Sequence, residues 1–85
     1  MDFEAIRNHM AELEEDELIE AANAIIADGG KGVQEAVAAM QEGMQEVGAR
    51  FESGDYFVAD LIYAGEIMTG AMEILKPALA GDSGE

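Results

Sequence analysis

The chain has 85 residues, of which 19 are acidic and 4 basic, giving a formal net charge of −15. That imbalance repels phosphate backbones and anionic headgroups, which excludes nucleic acid and membrane surfaces as partners, and the lack of cysteine excludes disulfides and thiolate metal sites. A hydrophobic share of 49% excludes disorder for most of the chain, and the length limits it to one domain that packs efficiently or leans on a partner. No apolar run approaches the roughly 18 residues needed to span a bilayer, and the acidic N-terminus is unlike a signal peptide, so a cytoplasmic location is expected. The acidity reads first as a well-solvated surface and second as a docking face for a basic protein.

Phe3, Ile6, Met10 and Leu13 recur at helical spacing and define a first short helix, with Arg7, Asn8 and His9 on its flanks. Glu14, Glu15, Asp16 and Glu17 interrupt the pattern; Asp16 is the expected N-cap of a second helix, whose first turn the acids favour through the macrodipole. Leu18, Ile19, Ala22, Ile25 and Ile26 give that helix a core-facing stripe. Gly29, Gly30 and Gly32 then stop it with a left-handed exit. Neither Walker nor dinucleotide spacing surrounds these glycines, so they read as a turn between helices.

Val33, Val37, Met40, Met44, Val47 and Phe51 form a heptad-like seam on a third helix predicted from Val33 to Glu52, about 30 Å long at 1.5 Å per residue. Ala36, Gly43 and Gly48 are places where another backbone can approach closely; each glycine costs the helix about 1 kcal/mol, which packing must offset. After a turn at Glu52, Ser53, Gly54 and Asp55, a fourth helix carries the seam Phe57, Leu61, Ala64, Met68, Ala71 and Leu75, with Pro77 near its end. The polar stretch from Gly81 to Glu85 reads as a linker. The fold class is therefore all-α, a small four-helix bundle with antiparallel neighbours.

The chain offers little raw material for catalysis: His9 is the one histidine, no glutamate stands three residues before it as in a di-iron bundle, and Asp28 fails the calcium-loop pattern. No catalytic residue and no metal ligand is assigned. Of the six methionines, at positions 1, 10, 40, 44, 68 and 72, most read as core; Met44, Met68 and Met72 also share seams with the third turn and would suit a large flat ligand. That turn is the anomaly. Phe51 precedes it and Tyr56, Phe57 and Val58 follow, so apolar side chains gather at a corner where polar ones are the rule.

The series Gly43-Met44, Val47-Gly48-x-x-Phe51, Gly54-x-Tyr56-Phe57-Val58, Ala64-Gly65-Glu66-x-Met68 and Leu75-Lys76-Pro77 resembles the helical cap module of corrinoid methyl-carrier proteins. That family serves methylamine, methanol and aryl-ether methyltransferase systems and includes the cobalamin-binding region of methionine synthase. The resemblance covers about Met1 to Leu79 and implies a methionine synthase cap-like bundle over residues 1–79, with residues 80–85 beginning a linker to an absent C-terminal α/β domain. It implies a non-catalytic module that shields the upper face of methylcobalamin during methyl transfer, with Phe51 and Val58 against the methyl-bearing face and Phe57 and Tyr56 beside them. Relatives commonly have Leu-Pro where this chain has Val58-Ala59. The family's cobalt-ligating Asp-x-His-x-x-Gly motif is absent, so the cobalamin would be held mainly by the missing domain and this chain alone is expected to be apo. Partners implied are that domain and substrate- and acceptor-specific methyltransferase subunits. The alternative from the residues alone is a stand-alone acidic interaction module that forms a homodimer through its heptad seams or docks a basic protein.

Overall fold

The computed structural model describes residues 2–82, which form four α-helices and no strand: α1 Phe3–Ala11, α2 Glu15–Ala27, α3 Val33–Ser53 and α4 Val58–Asp82. The expected all-α bundle is what the chain adopts. α1 lies against α3 and α2 against α4, while α3 and α4 pack on each other. The 43 Å long dimension suits α4, whose 25 residues rise about 37 Å at 1.5 Å each.

Each connection satisfies its helix ends in a different way. Asp2 caps α1 by accepting from the Ala5 amide at 3.1 Å. α1 closes with the Leu13 amide donating to the Met10 carbonyl and the Glu14 amide to the His9 carbonyl, at 3.2 and 2.8 Å, while Leu13 takes a left-handed φ of 60°. This tight exit carries the chain straight into α2, so Glu14, not Asp16 as expected, is the N-cap, and it makes no side-chain cap bond. Asp16 lies instead in the first turn, where with Glu15 and Glu17 it faces the positive end of the helix dipole. His9 Nδ1 sits 2.7 Å from Glu14 Oε1 across the same turn, a local tie between the end of α1 and the start of α2. The glycine stop after α2 forms as expected, with the Gly29 amide on the Ile26 carbonyl and the Gly30 amide on the Ile25 carbonyl.

The core runs along the bundle through Ile6, Met10, Leu18, Ile25, Met40, Val47, Ile67 and Leu75, all essentially sealed from solvent. Ala36, Ala64 and Ala71 let the helices close on one another. The buried line of α4 is Ala64, Ile67, Ala71 and Leu75; the expected seam had Met68 in place of Ile67 and began at Phe57. Both choices satisfy a three-and-four alternation, and the packing selects the β-branched side chain for the centre and leaves Met68 on its shoulder. On α3, Val37 and Met44 are likewise half-buried flanks, and Phe51 lies at the solvent end of the line. Met10 and Met40 are fully interior, Met44, Met68 and Met72 pack partly against the core, and Met1 lies outside the described residues.

Gly43 is required where it stands. A Cβ there would fall 2.6 Å from both the Arg7 carbonyl oxygen and Met10 Cβ, so its bare backbone is what lets α1 lie on α3. Gly48, expected to do the same, has nothing within 4 Å of where a Cβ would stand and mediates no close approach. Pro77 does not end α4, which runs through it to Asp82, three residues into the segment expected to begin a linker; the rest of that segment, residues 83–85, lies outside the described residues.

Candidate functional site

The corner between α3 and α4 is wound around Arg50. Its carbonyl accepts from the Asp55 amide at 2.8 Å, the Tyr56 amide at 3.1 Å and the Ser53 hydroxyl at 3.1 Å. The Gly54 amide donates to the Phe51 carbonyl at 3.1 Å, and Gly54 supplies the φ of 91° that the reversal needs. α4 then starts directly after Phe57, whose amide donates to the Asp60 carboxylate at 2.9 Å, half of a capping box with no hydroxyl residue on its other side. The amides from Gly54 to Phe57 thus all find acceptors within the corner, and its apolar side chains are free to face outward.

They do face outward. Phe51, Phe57 and Val58 are 39%, 72% and 59% exposed, in a chain whose other large apolar side chains are mostly covered. Two residues that the sequence pattern did not single out extend this edge: Ile62 at 60% and Tyr63 at 38%. The signal for Ile62 was present, since Leu61 and Ala64 turn inward and a residue one turn beyond Val58 on the same side must turn out. Tyr63 donates to Glu15 Oε1 at 3.0 Å, which ties this side of α4 to the start of α2 and raises the phenol's pKa, chiefly through that hydrogen bond.

Tyr56 behaves differently from its aromatic neighbour. Its half-buried ring leans on the core and its hydroxyl donates to the Ala11 carbonyl at 2.6 Å. Arg50 Nη1 donates to that hydroxyl at 3.0 Å, with the guanidinium carbon 5.5 Å from the ring centroid. The same guanidinium reaches Glu46 Oε2 through Nε at 3.0 Å and Glu12 Oε2 through Nη2 at 2.9 Å. Hydrogen bonding and charge from Arg50 hold the Glu12 carboxyl below its ordinary range, and the hydrogen bonds to Glu12 and Glu46 push the guanidinium further up.

Among the described residues no polar or charged side chain is buried, and no three His, Cys, Asp or Glu side chains gather as a metal site. No helix among them is long and apolar enough to cross a membrane.

Residues 2–76 match the family of B12 binding domains. Over 73 residues the chain is 32% identical to trimethylamine corrinoid protein 1 of Methanosarcina acetivorans, covering 86% of this chain and 34% of that protein. A cobalamin-binding protein of Desulfitobacterium hafniense, known from a 1.5 Å crystal structure, superposes with a TM-score of 0.87 at 44% identity, covering 91% of this chain and 38% of that one. The chain therefore spans little more than a third of the length of either relative. Matched over nearly its whole length in sequence and in helical architecture, this chain belongs to the B12 binding domain family, as the helical cap module of its corrinoid proteins.

Proposed function

We propose that the bundle caps the corrinoid of a methyl-carrier protein, laying Phe51, Val58 and Phe57 over the upper face of methylcobalamin and shielding it during methyl transfer. The observation that supports this reading is the exposed apolar edge at the α3–α4 corner, set at a turn whose amides from Gly54 to Phe57 each have an acceptor within the corner. Aromatic and branched side chains fit the face of a flat macrocycle, whereas the corner carries no histidine to ligate its metal, so the anchor belongs to a C-terminal α/β domain. The corrinoid, when bound, supplies a cobalt centre that is strongly nucleophilic and readily oxidised. Against it these side chains exclude water, and the bundle moves aside to admit methyltransferase subunits. In this role the chain makes and breaks no bonds, and it works in the cytoplasm. Tyr56, expected beside them, is half-buried with its ring against the core and its hydroxyl on α1, so its part in the face is to support the exposed side chains.

The test uses a corrinoid-loaded carrier that contains this bundle. Phe51→Ala and Val58→Asp are expected to speed the loss of the reduced corrinoid to air, read from its absorbance, while the thermal midpoint of the bundle moves by only a few degrees in Val58→Asp and falls by roughly 4–16 °C in Phe51→Ala. Oxidation at the unaltered rate in both variants refutes the reading.

A further inference from the structure

The geometry points to Arg50 and Tyr56 as a positioning clamp, fastened to the C-terminal end of α1 at Ala11 and Glu12, that fixes the pose in which the corner presents Phe51, Phe57 and Val58. The inference rests on the cap reading and deepens it by naming contacts that act on the corrin-facing side chains from behind.

Three observations carry it. First, Arg50 closes the corner twice over. Its carbonyl collects the Asp55 and Tyr56 amides and the Ser53 hydroxyl, and its guanidinium collects Glu46, Glu12 and the Tyr56 hydroxyl. Second, the far end of the clamp is remote in sequence: Tyr56 reaches a carbonyl 45 residues back at 2.6 Å, and Arg50 a carboxylate 38 residues back at 2.9 Å. A turn secured only by local bonds needs neither. Third, the residues adjoining the clamp are the outward ones, since Phe51 follows Arg50 and Phe57 follows Tyr56. An exposed apolar corner left loose would lower its free energy by folding Phe57 back against the bundle. Holding the backbone on both sides of the turn prevents this and leaves the side chains displayed. Arg suits the task because its planar fork serves several acceptors at fixed angles, which the point charge of lysine does not. The Ala11 carbonyl lies in the last turn of α1, where carbonyls lack intrahelical donors, so the tyrosine also completes that helix.

Two conservative variants test the clamp: Tyr56→Phe, which removes one hydroxyl, and Arg50→Lys, which keeps the charge and loses the fork. In this 85-residue chain, exchange of the backbone amides at positions 55, 56 and 57 is expected to rise roughly tenfold, while the Met40 and Val47 amides stay within about twofold. A uniform rise at corner and core alike means a general loss of stability and overturns the proposal, as does no rise at all. In the corrinoid-loaded carrier both variants should speed oxidation of the reduced corrinoid in the manner of Phe51→Ala. If Phe51→Ala does so and the clamp variants do not, the positioning role is overturned and the cap stands. If none of the three does so although the corner amides loosen, the cap reading fails and the clamp is upheld as a device that fixes the corner.

Discussion

Replacing Gly43 by alanine places a methyl carbon 2.6 Å from the Arg7 carbonyl oxygen and from Met10 Cβ, and 2.9 Å from Met10 Cγ. The first two lie about 0.8 Å inside an ordinary contact of 3.4 Å, and one of them is backbone, so rotating a side chain does not relieve the clash. α1 must lift from α3. Overpacking of this kind costs about 1–3 kcal/mol, and a rigid backbone obstacle puts it at the upper end; alanine returns about 1 kcal/mol of helix propensity. The net loss is about 2 kcal/mol, which in a domain of this size lowers the thermal midpoint by roughly 8–16 °C. Gly48→Ala is the internal control: on the same helix, with nothing within 4 Å, it gains the propensity alone and should raise the midpoint by roughly 4–8 °C. Melts followed by the helical circular dichroism signal read both. A Gly43→Ala midpoint at or above that of the parent, or shifts of the same sign in the two variants, refutes the reasoning that close approach and not chain flexibility sets the need for Gly43.

Phe57→Ser, at a side chain 72% exposed, should change stability by no more than about 0.5 kcal/mol in urea unfolding. Phe51→Ala, more covered, should cost about 1–2 kcal/mol, short of the roughly 3–5 kcal/mol of a fully interior phenylalanine. The Glu12–Arg50 pair predicts an acid-side effect: because folding lowers the Glu12 pKa, the stability it contributes is present above the ordinary value of 4.5 and is lost as pH falls through the lowered one. Parent and Glu12→Gln should therefore differ at neutral pH and converge as the pH falls from 4.5 through the lowered Glu12 pKa in paired urea titrations. Glu15→Gln should bring the Tyr63 titration back down, since the carboxylate is the main cause of its rise; the ring resonances in NMR spectra report the midpoint.

Most of the architecture was legible because helical periodicity and glycine stops are local signals. The seams through Ile6 and Met10, Leu18 and Ile25, and Met40 and Val47 are the ones that interlock. Where two residues satisfy one period, as Ile67 and Met68 do, only the shape of the facing helices decides, and sequence spacing carries no such information. Asp16 failed as a cap because Leu13 accepts a left-handed backbone that a bulky residue normally avoids, shortening the turn and starting α2 early. Gly43 and Gly48 look alike along the chain and differ only in what stands opposite. At the corner, the accumulation of Phe51, Phe57 and Val58 was readable as an oddity of composition. The Arg50 and Tyr56 contacts to α1 were not, since they join residues 38 and 45 apart that no pattern links.

The greasy edge at the corner also has a colloidal consequence. A chain of net charge −15 repels its own copies, and at physiological salt that repulsion reaches only about 8 Å from the surface. Acidity then acts as a bumper, keeping uncovered rings on neighbouring molecules from sticking. Concentrated salt shortens the bumper's reach, and clumping under those conditions is what such a surface should show.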